Sequence, residues 1–219
     1  MIIIKKYSLI LFFLFLFICY IVTVDSKELP LFQKVITIDP GHGGRDPGTR
    51  FGNILEKDLN LEISKVLQEE LSKEGAIVYL VREEDVDFSK DTDYLKKRGD
   101  LKRRISFIES KKSDIYLSIH LNWYKDYYFG GAEILYNNIN KENKGLAETL
   151  KDSLIDDKIK TREIKTTNLY LYSNTTVPGV LIECGFLSNK NDRYLLQTKE
   201  YQEKFSRAIV NGNVKWVKF

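Results

Sequence analysis

The chain has 219 residues, 43% hydrophobic and 30% charged, with a net charge of +3. Setting aside an apolar N-terminal segment leaves about 190 residues, enough for one domain with a substantial core. The charge is nearly balanced and no basic cluster interleaves with aromatics, so no nucleic-acid partner is expected and the lysines read as solvated helix faces.

Lys5 and Lys6 precede an uncharged run, "YSLILFFLFLFICYIVTV" (7–24), long enough to span a bilayer. The positive flank predicts a cytoplasmic N-terminus, with everything after residue 25 outside. A cleaved signal peptide is the competing reading. The run is long and lacks the small residues of a cleavage site, which favours an uncleaved membrane anchor. Residues 1–26 are therefore expected to be an anchor or signal segment, 27–33 a linker and 34–219 a single domain. The residues before Cys19, "LFI", do not suit a lipoprotein site. Cys184 is the only cysteine of the body, so no internal disulfide is available. An exported domain without disulfides fits a Gram-positive type of cell surface.

"VITID" (35–39) reads as a buried strand ending at Pro40. The loop after it, "DPGHGG" (39–44), sets His42 among glycines, where a side chain is presented rather than packed. The spacing of Leu59, Ile63, Val66, Leu67 and Leu71 predicts a helix over 56–75, capped at Gly75. "AIVYLVR" (76–82) is the next strand, so strand, helix and strand form a parallel crossover unit. A charged surface loop (83–97) and a helix (100–110) follow, then the strand "DIYLSIHLN" (114–122), which carries His120 in its last turn. A strand at 130–136, a helix at 143–154, strands at 168–172 and 179–188, and helices at 189–197 and 199–216 complete the chain. The alternation predicts a three-layer α/β domain with a mostly parallel or mixed sheet flanked by helices.

The unusual residues fall in related places. His42 follows one strand, His120 ends another, and Glu183 lies near the end of a third, inside the apolar run "VLIECGF". Glu56 opens the helix that leaves the first loop. In open α/β sheets the ligand crevice lies outside the carboxyl ends of the strands. Taken singly, His120 suits a core histidine and Glu56 a helix-dipole acid. Glu183 is harder to dismiss, because a buried carboxylate without a partner is costly. Together, two imidazoles and a carboxylate form a three-ligand zinc site, and a second carboxylate can move protons. No short metal motif such as HExxH is present.

The blocks "VITIDPGHGGRDPGTR" (35–50), "LEKDLNLEIS" (55–64), "DIYLSIHLNW" (114–123) and "VPGVLIECGFLSNKND" (177–192) resemble the zinc-dependent N-acetylmuramoyl-L-alanine amidases of the third amidase family. The likeness runs from about residue 34 to the C-terminus. It implies one Zn2+ held by His42, Glu56 and His120, with Glu183 as the catalytic carboxylate. It also implies cleavage of the amide between the lactyl group of N-acetylmuramic acid and L-alanine in peptidoglycan. Where the family usually has small residues after "SIH", this chain has Leu121 and Trp123. "VYLVREEDVDF", "DLKRRISFI" and "TREIKTTNLYLY" resemble the sporulation branch, in which peptide removal precedes muramic-δ-lactam formation in spore cortex. A vegetative autolysin, a different zinc hydrolase such as a carboxypeptidase, and a non-catalytic wall-binding module or adaptor are the alternatives. Asn122 is a candidate substrate contact. Asp39 is expected either to support a metal ligand or to end its strand through backbone bonds. An exported protein partner is left open.

Overall fold

The structure, a computed structural model, describes residues 10–16, 29–171 and 173–218. The apolar run 7–24 lies outside the described residues except for 10–16, which are helical. Among the described residues, no helix is long and apolar enough to cross a membrane.

A six-stranded mixed sheet organises the domain. Its strands are β1 (Val35–Pro40), β4 (Ile77–Leu80), β5 (Ile115–Asn122), β6 (Glu133–Tyr136), β7 (Lys165–Thr166) and β8 (Gly179–Phe186), in the order β4-β1-β5-β8-β6-β7. β4, β1, β5 and β8 run parallel, and β6 pairs antiparallel with β8. β2 (Arg50–Phe51) and β3 (Ile54–Leu55) form a small hairpin in the loop after β1.

Alternation along each strand divides the side chains between two layers. Ile36, Ile38, Ile115, Leu117, Ile119, Val180, Ile182 and Cys184 face one core. Three helices cover it: α1 (Glu56–Lys73), α3 (Glu142–Asp156) and α5 (Lys199–Val217). α1 forms because Leu59, Ile63, Leu67 and Leu71 recur on one buried face, with Glu56 and Asp58 favourable at its N-terminal dipole. On the opposite side of the sheet, α2 (Lys96–Ser110) packs Ile105 and Ile108 against Tyr116 and Leu181. The short α4 (Lys190–Leu196) is capped by the Asn189 side chain, which accepts the N–H groups of Asn191 and Asp192.

Two expectations are corrected. Residues 168–169 have no regular structure and 170–171 lie in a turn, so no strand forms over 168–171; the sheet is extended there only by Lys165–Thr166. α2 starts at Lys96 rather than Asp100. Within the segment read as a linker, Leu31 is fully buried in the main core and its N–H bonds Glu74 O at 3.0 Å, while Leu29 and Phe32 are exposed. A lone apolar residue outside any periodic element gave no signal of that burial.

Candidate active site

The parallel strands deliver the site. The β1 loop begins at Gly41, whose N–H bonds Ile119 O on β5 at 2.9 Å. His120 stands opposite Glu183 in the β5–β8 register, so both project from the same face at the carboxyl ends of the strands. The register shifts just beyond, between His120 and Asn122. Glu56 enters as the buried first residue of α1.

His42, Glu56 and His120 converge. Glu56 Oε1 is 3.1 Å from His42 Nε2 and 3.0 Å from His120 Nδ1, and the ring centroids lie 5.0 Å apart. One ligand atom from each residue falls within 4.8 Å of the others, a spacing that could hold a metal ion. Glu56 is fixed from behind: Oε2 accepts the Thr49 N–H at 2.8 Å and Oε1 the Leu121 N–H at 3.1 Å. Glu183 faces the same cleft, and its Oε2 is sealed from solvent without a hydrogen-bond partner among the described residues. An orphaned buried carboxylate oxygen beside two imidazoles and a carboxylate suits a bound cation and water.

Two glycines make the approach possible. A Cβ on Gly41 would lie 2.2 Å from His120 Cε1. A Cβ on Gly48 would lie 2.6 Å from Glu56 Oε2, and its φ of +64° is in the left-handed region. His42 itself adopts φ 62°, a conformation held only when the surroundings impose it. They do so through two buried guanidinium groups. Arg104 donates to Asp39 Oδ1 (2.7 Å), Pro40 O (2.9 Å) and His42 O (2.6 Å). Arg82 donates to Pro40 O (2.9 Å) and Gly41 O (3.0 Å). The 83–95 loop adds Asp85 and Asp87, which accept the N–H groups of Gly44 and Arg45.

Electrostatics follow from this crowding. Burial disfavours the His42 cation, but the Asp46 and Glu56 carboxylates outweigh it and raise its pKa to about 9. Burial likewise opposes ionisation of Glu56, yet the two histidines hold its carboxyl well below the usual range. Glu183 goes the other way. Burial, then the nearby Glu56 and Glu133 carboxylates, push it up to about 8, with His42 partly offsetting them. Glu133 is opposite Glu183 in the β6–β8 register.

Asp39 bonds Arg104 and Ser118 (3.0 Å) and so acts on His42 through its loop; the carboxylate beside the His42 ring is that of Asp46, 2.9 Å from Nδ1. Asn122 lines the cleft, with its amide engaged: Oδ1 accepts the Trp123 N–H and Nδ2 donates to Glu133. Sequence reasoning missed Asp46, Glu133, Arg82 and Arg104. Glu133 carried the same signal as Glu183, an acid inside an apolar strand.

Two histidines and the helix-borne Glu56 gather beside Glu183 near the carboxyl ends of the parallel strands, an arrangement that could hold a metal ion next to a second carboxylate. Residues 36–214 match the family described as N-acetylmuramoyl-L-alanine amidase, and the chain belongs to that family. It is 37% identical over 194 residues to the germination-specific N-acetylmuramoyl-L-alanine amidase of Bacillus subtilis, covering 86% of this chain and 82% of that protein. The CwlD amidase of Clostridioides difficile, solved in complex with the GerS lipoprotein, superposes with a TM-score of 0.79 at 35% identity, over 85% of this chain and 99% of that one. An N-acetylmuramoyl-L-alanine amidase from Clostridium difficile 630 gives 0.75 at 32% identity, over 85% and 97%. The chain is accordingly an N-acetylmuramoyl-L-alanine amidase acting on peptidoglycan.

Proposed function

We propose that the amidase is zinc-dependent, with His42, Glu56 and His120 as ligands and Glu183 as the proton-transfer group. The convergence of the three donors around Glu56 Oε1 carries this reading. When bound, zinc supplies Lewis acidity and brings the pKa of a bound water to about 7. The chain's own residues do the rest. Glu56, tied by the Thr49 and Leu121 N–H groups, keeps both rings in place. Asp46 beside His42 Nδ1 leaves Nε2 turned toward Glu56 and the site. Glu183 Oε2, without a partner among the described residues, takes the proton of the attacking water and returns it to the alanine nitrogen as the amide breaks. Burial and the neighbouring carboxylates raise the Glu183 carboxyl, and a bound zinc dication would act the other way, favouring the ionised form that accepts the water's proton.

The biological setting belongs to the same proposal. Likeness to a germination-specific amidase and to CwlD supports a role in spore cortex, after export directed by residues 1–26 as anchor or signal. The solved complex of CwlD with GerS supports an exported protein partner here as well. The test is digestion of purified peptidoglycan with and without a chelator. Free stem peptides with N-terminal alanine, lost on chelation and restored by zinc, are expected. Chelator-resistant cleavage would remove the metal from the reading.

A further inference from the structure

The cleft that holds the candidate metal donors has an aromatic wall that the chemistry above does not use. Trp123 lines it, three residues beyond His120, and remains 46% exposed. It begins the segment "WYKDYY" (123–128), in which Tyr124, Tyr127 and Tyr128 are exposed too. Exposure of so large an apolar ring at the mouth of a polar site marks a contact surface.

The ring's backbone is held on both sides. Asn122 O accepts the Leu187 N–H at 2.9 Å, and the Trp123 N–H bonds Asn122 Oδ1 at 2.8 Å. Asn122 Nδ2 in turn reaches Glu133, which pairs with Lys165 and Arg162. The Tyr124 N–H bonds Ser188 Oγ at 3.1 Å, and its ring packs on Phe129 with centroids 4.6 Å apart. The backbone that carries Trp123 is therefore held in place, and a ligand meeting the ring loses little to ordering of the main chain.

The substrate's own connectivity says what must lie near the site. The lactyl carbonyl of the scissile amide is only an ether oxygen and one carbon away from the muramic acid ring. With that carbonyl at the His42–Glu56–His120 cluster, the ring has to rest on an adjoining wall, and the stem peptide on another. The two walls differ in chemistry. On the β1 side stands Lys97, exposed and 3.6 Å from Asp46. A cation suits the carboxylates of a stem peptide. Beyond the end of β5, next to β8, stands the uncharged indole of Trp123. A pyranose ring presents weakly positive C–H groups, which fit the negative face of an aromatic ring. We propose that Trp123 is the saccharide platform of this enzyme, stacking on the N-acetylmuramic acid ring and setting the direction in which the glycan and stem peptide cross the cleft. The assignment rests on the reading of the cluster as the reaction centre.

Two measurements test it. The first compares an N-acetylmuramoyl-peptide with a D-lactoyl-peptide of the same sequence, which has the scissile amide but no sugar. Trp123→Ala should raise KM on the muramoyl substrate about tenfold with kcat little changed, and leave hydrolysis of the lactoyl substrate at the wild-type level. Trp123→Phe, which keeps an aromatic face, should retain most of the affinity. Equal losses on both substrates, or no change on the muramoyl one, would overturn the proposal. The second does not need turnover. The chain has two tryptophans, Trp123 and Trp216, so in Trp216→Phe the fluorescence reports Trp123 alone. Peptide-free glycan oligosaccharide should shift that emission saturably, and a flat titration would refute the platform. A wild-type enzyme that cleaves neither peptide would remove the reaction-centre reading, while the fluorescence result would still decide the sugar contact.

Discussion

His42 and Glu183 are both displaced from their ordinary charge behaviour, and each displacement makes a prediction. The His42 cation is favoured up to about pH 9 by Asp46 and Glu56, against its burial. A metal must displace that proton. Zinc affinity should therefore climb with pH through the neutral range and level off near 9. Asp46→Asn removes one of the two carboxylates, so the climb should finish at lower pH. Competition with a chromophoric chelator over a pH series measures this, and an unmoved profile would show that Asp46 does not govern His42. Glu183 separates a proton-transfer group from a ligand. Glu183→Gln should keep its zinc and fold but turn over more slowly by about 10²–10⁴-fold. Metal content and rate on one preparation check it. Loss of zinc would make Glu183 a ligand, and wild-type turnover would strip it of its role. Cys184, its neighbour, faces the opposite core and is almost fully buried, as alternation along a strand requires.

At the scale of elements, the decisive unit is the 40–48 loop with the two arginines behind it. Arg104 is buried, and its charge is met by Asp39 and Asp100 at 2.7 and 2.8 Å. Breaking such a buried network by removing one partner costs about 3–5 kcal/mol, because the other charges stay buried. Arg104→Ala should be destabilised on that order by chemical denaturation and should bind zinc more weakly, since His42 loses its carbonyl anchor. Normal stability would mean that Asp39 finds another partner. This support was hard to read in the sequence. "DLKRRISFI" looks like a charged helix face, although Arg104 shares the inward stripe of Leu101 and Ile108 by spacing. Strand ends and glycines, by contrast, were legible: an apolar run stopped by Pro-Gly locates a strand end, and glycines around a histidine mark a place where the backbone turns and presents the ring, though the sequence did not show how closely His120 approaches there. The contact of Gly41 with the His120 ring is that approach. Asp46 sits four residues after His42 in the same block, but only the fold of the loop turns it onto Nδ1.

For the whole molecule, alternation of strands and helices specified a three-layer α/β domain because period-2 and period-3.6 patterns are local. Strand order and the burial of Leu31 are long-range, and residues 168–171 have a strand's composition without a strand's place in the sheet. The same convergence that builds the site also loads the fold with opposed charges, and global stability should register it. In the metal-stripped protein, His42 is raised from 6.5 to about 9 and Glu183 from 4.5 to about 8. A group raised in the folded state contributes stability below its unfolded value and loses it as pH rises through the folded one. Stability should thus fall as pH increases from 4.5 to about 8 on account of Glu183, and from 6.5 to about 9 on account of His42. Glu56, lowered from 4.5, has the opposite sign, and its contribution disappears as pH drops below that value. The stripped protein should be most stable in mildly acidic solution. Zinc needs the deprotonated ligands, so its stabilisation should grow over the same alkaline interval, reaching about 2.7 kcal/mol at a hundredfold excess over Kd. Denaturation midpoints measured against pH, with chelator and with zinc, give both curves. Glu183→Gln should flatten the chelated curve at its acidic side. A chelated protein equally stable from mildly acidic to alkaline pH would mean that the carboxylates and imidazoles do not meet as closely in solution as they do in this fold.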